Sequence, residues 1–263
     1  MQAYIALIAQ KKFEEALEII RQSIPFPSVC GRVCFSPCED ACSRKDVDDP
    51  VSIRSLKRLV ADYEISSGAK KPKAVPKVHK EKIAIVGSGP AGLTAAYELA
   101  KLGYPVTVFE SLSKPGGCLR YCIPEYRLPQ EVLEREIDYI KATGVQIQTN
   151  TTIGKDLTFE ALTAQGFTAI LVATGAHRCV SLNIEGEKLQ GVFHSLEFLK
   201  EVCSKVQAKL GDTVAVVGGG DVAVDAARTA KRLGSTEVTV VYRRSQKEMP
   251  AHLQGVEDAK LEG

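Results

Sequence analysis

The sequence predicts a small all-α domain followed by two doubly wound α/β domains, the second of them incomplete. Three observations carry this prediction. Two glycine-rich turns each follow an apolar run and open a helix, at Lys82–Glu110 and at Asp212–Arg244. From Lys82 onward, apolar strands alternate with helical segments, as a parallel doubly wound sheet demands. The residues before Lys82 show helical periodicity and a cysteine-rich stretch instead.

Length and composition bound the rest. A chain of 263 residues with 44% apolar residues can build one or two real cores. A net charge of +2 points away from nucleic acid as a partner. No secretory signal and no apolar stretch near membrane-spanning length is present, so eight cysteines point to a reducing, cytoplasmic setting without structural disulfides.

In chain order, residues 1–67 form the expected helical domain. Ala3 to Gln22 read as an amphipathic helix broken near Lys11 and Lys12, with Ile5, Ile8, Phe13, Leu17 and Ile20 on one packed face. Cys30, Cys34, Cys38 and Cys42 then form a ladder in a stretch cut by Pro25, Pro27, Gly31 and Pro37, which reads as a loop wrapped around a metal centre. Their spacing fits neither the usual zinc-finger nor the ferredoxin pattern, so thiolate ligation of zinc or of an iron-sulfur cluster both stand on the residues alone. Val51 to Tyr63 reads as a further helix, and the Lys- and Pro-rich segment 68–81 reads as a linker.

Residues 82–210 form the first α/β domain. Gly87, Gly89 and Gly92 stand in G-x-G-x-x-G register, with Ser88, Pro90 and Ala91 between them and Glu110 closing the next strand. In that fingerprint the first glycine makes the turn, the second admits a pyrophosphate and the third lets helix pack on strand. A carboxylate at Glu110 accepts from a ribose diol and repels a 2′-phosphate, which suits FAD or NAD. Helices are expected at Gln130–Thr143 and Ser195–Leu210, and strands at Val145–Thr149 and Ala169–Ala173.

Residues 211–263 form the second, partial domain. Gly218, Gly219 and Gly220 make its turn, followed by Asp221 and Val222, and Ala223 takes the third fingerprint place. Its second strand ends on Arg243 and Arg244 rather than on an acid. Two guanidinium groups there match an adenosine 2′-phosphate, so the second ligand is expected to be NADPH, and the domains are Rossmann-like. A flavin beside a thiolate centre favours iron-sulfur over zinc, because zinc has no redox role.

The chain resembles the small (beta) subunit of NADPH-dependent glutamate synthase, and with it the flavin subunit of NADPH:ferredoxin transhydrogenase and the amino-terminal half of dihydropyrimidine dehydrogenase. The words that carry the resemblance are GRVCFSPCEDAC, PVSIRSLKRLVADYE, VGSGPAGL, PGGCLRYCIPEYRLP, LVATGA, VVGGGDVAVDAARTAKRLG and VTVVYRRSQKEMPA. The resemblance implies electron flow from NADPH through FAD to [4Fe-4S] clusters and on to a larger catalytic subunit or ferredoxin-like acceptor, with glutamate synthase as the favoured case. It implies cluster ligation by Cys34, Cys38 and Cys42, with Cys30 beside them. It lays Gly116, Gly117 and Leu119, and later Thr174 and Gly175, along the FAD. Relatives in this family carry further cysteines upstream and continue past Gly263, so the chain reads as truncated at both ends.

Hydride transfer between nicotinamide and flavin needs no protein acid or base, so no catalytic residue is nominated. His79, His177, His194 and His252 lack metal spacing. Asp221 and Asp225 are expected to meet helix-terminal amides or solvent. Two competing readings remain: a disulfide reductase using Cys118 and Cys122, which follow a glycine pair, and a non-catalytic, cluster-bearing docking fragment.

Overall fold

A computed structural model of the chain describes residues 1–68, 72–206 and 208–263. The chain divides into two compact units, Met1–Leu119 with Tyr126–Gly175 and Arg120–Glu125 with Ala176–Gly263.

The first unit opens with α1 (Gln2–Ala9) and α2 (Phe13–Arg21), separated where Lys11 takes φ +60°. Tyr4, Ile8, Leu17 and Ile20 close a small core against Ile53 and Val60. The cysteine stretch is helical and not the expected loop: α3 (Pro27–Val33), α4 (Pro37–Asp40) and a 3₁₀ turn at Ser43–Asp46. Pro27 and Pro37 begin helices instead of breaking them, because a first-turn residue has no intrahelical use for its missing N–H. Gly31 sits inside α3 because a Cβ there would lie 2.8 Å from the Arg58 Cα. Arg58 belongs to α5 (Ile53–Ser67), which runs past Tyr63 and stops at Gly68 in the left-handed region.

Within the segment read as a linker, residues 69–71 lie outside the described ones. The remainder is pinned to the α/β part. Val75 N donates to Thr143 O at 3.2 Å, Val78 N donates to Gly103 O at 3.0 Å, and the His79 ring stacks on Tyr104 at 4.0 Å.

Four parallel strands follow: β1 (Lys82–Val86), then α6 (Pro90–Lys101), β2 (Val106–Phe109), the short α7 (Cys118–Tyr121), α8 (Gln130–Ala142), β3 (Gln146–Gln148), α9 (Phe159–Ala164) and β4 (Phe167–Val172). The sheet order is β3-β2-β1-β4, with Ile83 opposite both Val106 and Ala169. Leu93 of α6 and Leu133, Ile137 and Ile140 of α8 are among its most deeply buried side chains.

In the second unit, α10 (Ser195–Cys203) ends earlier than its periodicity predicts, and Lys205 then takes φ +59°. Of the residues predicted to continue that helix, Gln207 lies outside the described ones. Parallel strands β5 (Thr213–Val217) and β6 (Glu237–Val241) flank α11 (Asp221–Arg232) in sequence. Ala223, Ala226, Ala227 and Ala230 give α11 a small-residue face that joins Phe198, Leu199 and Val216 in one core. A last helix, α12 (Leu253–Glu262), is held to α11 by Glu262, which accepts from Arg228 Nη2 and Arg232 Nη2 at 2.6 Å each. Arg232, and then Arg228, hold the Glu262 carboxyl down at about 2.

Candidate nucleotide and cluster sites

Each glycine of the first turn has a different surrounding. Gly87 has φ +105°, and a Cβ on it would lie 2.4 Å from Ala173 O at the end of β4. A Cβ on Gly92 would lie 2.0 Å from Gly87 O, so only glycine lets α6 sit this close to the turn. Gly89, the N-cap of α6, faces open space for at least 4 Å. That opening stands over the start of a helix whose first amides have no intrahelical acceptor, a cradle that fits a pyrophosphate. Pro90, Ala91 and Gly92 form the first turn of that helix.

The elements around the opening are tied together by Ser88, which is completely buried. Its N–H donates to Glu110 Oε2 at 3.0 Å, and its hydroxyl donates to the same oxygen. Gly116 N in turn donates to Ser88 O at 3.0 Å and to Ser88 Oγ at 3.1 Å. Glu110 Oε1 accepts from Leu112 N at 2.8 Å and from Ser111 Oγ at 3.2 Å. The carboxylate predicted as a ribose acceptor therefore also binds turn, strand end and following loop into one body. Gly117, at φ +54°, comes so close to Gly89 that a Cβ would lie 2.7 Å from its Cα. Leu119 is buried, Thr174 follows β4 beside Gly87, and Gly175 comes next in the chain.

The second turn repeats part of this pattern. Gly218 has φ +142° and lies against Ala223, and Gly220 caps α11 with open space in front of it. Gly219, which the fingerprint leaves unexplained, packs under the Tyr242 ring: a Cβ there would lie 2.6 Å from it. Asp221 Oδ1 accepts from His252 N at 3.0 Å, the N-cap amide of α12, whereas Asp225 is buried and not solvated. Val222 is exposed. Arg243 and Arg244 are exposed just past β6, and Arg244 also lines a cavity of about 390 Å³ walled by α11, β6 and α12.

Among the cysteines, Cys30 lies in α3, Cys34 caps it, Cys38 lies in α4 against the helical core, and Cys42 precedes the 3₁₀ turn. Ser36 takes φ +56° and donates its N–H to Cys34 Sγ at 3.4 Å. Backbone N–H groups of Val51 and Arg44 lower the Cys42 thiol below its ordinary range. Burial pushes the Cys30 thiol up. Two of the four sulfurs thus receive N–H donors of the kind that favour metal-binding thiolates. Among the described residues, no three His, Cys, Asp or Glu side chains converge to hold a metal ion.

Glu136 of α8 is the residue in this region that sequence reasoning missed. Its carboxylate, only 4% exposed, accepts from Ser28 N at 2.6 Å and Val29 N at 3.0 Å, at the start of the Cys30 helix. Arg21 adds a second tie, pairing with Glu64 at 2.5 Å while its guanidinium lies 3.8 Å from the Tyr139 ring centre. Cys118 is exposed at the start of α7 in the first unit, and Cys122 is half-buried in the second.

Residues 81–261 match the pyridine nucleotide-disulphide oxidoreductase family, and residues 1–69 match dihydropyrimidine dehydrogenase domain II, 4Fe-4S cluster. The chain is 46% identical over 269 residues to the NADPH-Fe(3+) oxidoreductase subunit beta of Geobacter sulfurreducens, covering 99% of this chain and 39% of that protein. It is 44% identical to the NADP(+)-dependent formate dehydrogenase subunit beta of Moorella thermoacetica, covering 99% of this chain and 40% of that one. The glutamate synthase [NADPH] small chain of Bacillus subtilis is 37% identical over 86% of this chain and 48% of its own. The chain thus spans about two fifths of the first two relatives. Among solved structures, FprA of Mycobacterium tuberculosis in complex with NADPH superposes with a TM-score of 0.58 at 25% identity, over 69% of this chain and 48% of that one. No helix among the described residues is long and apolar enough to cross a membrane.

Proposed function

Because the chain belongs to the pyridine nucleotide-disulphide oxidoreductase family and carries a 4Fe-4S cluster domain ahead of it, it works with FAD, NAD(P)H and an iron-sulfur cluster; we propose that it is an electron-input module passing electrons from NADPH to a larger catalytic subunit. One observation supports this most directly: a single chain carries two glycine turns whose following strands end in opposite charge, behind a cysteine-bearing helical domain.

The chain's own part is binding and orientation. Gly89 leaves room for the FAD pyrophosphate at the start of α6, and Ser88 with Glu110 keeps that opening in shape. Gly220 does the same at α11, while Arg243 and Arg244 receive the 2′-phosphate of NADPH. Cys34, Cys38 and Cys42, with Cys30, would supply thiolates for the cluster once drawn together around it, since no three such side chains converge among the described residues. FAD, when bound, converts the two-electron hydride donor into a source of single electrons. Glutamate synthase is one case of this class, supported by the Bacillus relative; the two relatives of higher identity are named as beta subunits of an NADPH-Fe(3+) oxidoreductase and an NADP(+)-dependent formate dehydrogenase. Removing either arginine is expected to lower NADPH affinity about ten- to a hundredfold, the weight of one charge-assisted hydrogen bond.

An anaerobic visible spectrum of the purified chain tests the proposal. NADPH, and not NADH, is expected to bleach a flavin band above a broad iron-sulfur shoulder. A flavin-free spectrum, or equal bleaching by both nucleotides, would overturn it.

A further inference from the structure

The loop after β6 does not simply leave the strand. It turns once at Gln246–Glu248 and comes back to the glycine turn it flanks. At its outgoing end the Tyr242 ring covers Gly219 and its hydroxyl donates to Glu248 O at 3.2 Å. At its middle, Glu248 Oε2 accepts from Ser245 N at 3.0 Å and from Ser245 Oγ at 3.1 Å, while Glu248 N donates to Ser245 O at 3.0 Å. At its returning end Ala251 N donates to Gly219 O at 3.1 Å and His252 N to Asp221 Oδ1 at 3.0 Å. Arg243 and Arg244 are the two residues caught between Tyr242 and Ser245. Each side of the basic pair is held by a bond that ends on Glu248.

We propose that Glu248 is a positioning residue whose carboxylate, by accepting from Ser245 N and Oγ, fixes the two arginines in a loop whose other side rests on the Glu248 backbone carbonyl through Tyr242, and so sets the preference of the second glycine unit for adenosine bearing a 2′-phosphate. The inference rests on reading that unit as a nucleotide site. Glu248 need not touch the nucleotide. It removes the ordering that a loose loop would have to undergo on binding, which is where preorganised sites gain affinity.

Two roles for this carboxylate make opposite predictions. As a bare negative charge four residues from Arg244, it would oppose a phosphate, and its removal would tighten binding. As a cap, its removal would loosen the arginines and weaken binding. A glutamine can replace a glutamate in this capping arrangement, so Glu248→Gln separates geometry from charge.

The experiment is calorimetric titration of the full chain, as wild type, Glu248→Ala and Glu248→Gln, with adenosine 2′,5′-bisphosphate and with 5′-AMP. The two probes differ only in the 2′-phosphate. Glu248→Ala is expected to lower the affinity ratio of the first probe to the second about three- to tenfold, and Glu248→Gln to keep it within about twofold. The 5′-AMP affinity should be equal in all three, which shows that the glycine turn itself is intact. A ratio that rises in both variants, or changes in neither, would overturn the inference. A wild-type chain that binds 5′-AMP but shows no preference for the bisphosphate would overturn the reading of the arginines, and the inference with it.

Discussion

Gly87→Ala is expected to destabilise the first unit by roughly 2–6 kcal/mol and to abolish FAD retention. Two costs add. A side chain at φ +105° is strained by about 1–3 kcal/mol. Its Cβ would also press on Ala173 O, 2.4 Å away and unable to move without shifting the end of β4, at a further cost of about 1–3 kcal/mol. Gly89→Ala is the informative partner. Gly89 has φ −68° and nothing within 4 Å of its would-be Cβ, so stability should stay within about 0.5 kcal/mol of wild type while FAD affinity falls. Urea melts of the two variants, with FAD retention on gel filtration, check both statements. Equal destabilisation by both would refute the division of labour drawn for these glycines.

Glu136 is expected to give the protein a stability that falls as pH rises from about 4.5 to about 7. Burial pushes its carboxyl up to about 7, against the opposing pull of the Ser28 and Val29 N–H groups and of Arg21 and Arg32. Below pH 4.5 both folded and unfolded chains hold this proton, and the full stability is present. Between 4.5 and 7 the unfolded chain has released it and the folded chain has not, so rising pH favours unfolding. A difference of about 2.5 units corresponds to about 3 kcal/mol lost across that window, with a plateau above it. Other groups also titrate there, so the test is the difference between wild type and Glu136→Gln in chemical unfolding at several pH values. Wild-type stability minus that of Glu136→Gln should fall by about 3 kcal/mol toward high pH, where only the wild type has lost stability. A constant offset would show that the folded carboxyl titrates normally. Glu136→Ala removes the acceptor altogether and leaves two buried N–H groups unpaired, at about 1–3 kcal/mol each.

The parts of this fold that could be read from the sequence are those in which local pattern and tertiary role coincide. The glycine turns are of this kind, because spacing, strand and helix lie within thirty residues and Gly92 answers to a local contact with Gly87. The break at Lys11 was equally plain, since two lysines interrupt the apolar stripe. The cysteine stretch was misread because proline both ends helices and starts them, and only packing on α5 decides which. The reason for glycine at position 219 is the Tyr242 ring above it, on the far side of α11 and β6 in sequence, where spacing does not point to it. The contact between Glu136 and Ser28 spans 108 residues, and no periodicity announces such a pairing. A glutamate among the apolar positions of α8 was the one available signal, and it resembled an ordinary surface residue.

The pinned segment after α5 has a kinetic meaning. Val75, Val78 and His79 anchor this stretch at the ends of α8 and α6, and the buried Glu136 carboxylate ties α8 to the start of the Cys30 helix. For the electron path proposed here, the expected outcome is passage across that junction without gating by a swinging domain. Its speed follows from fixed separation and driving force, so a viscous solvent that slows diffusional encounters would leave this step unchanged.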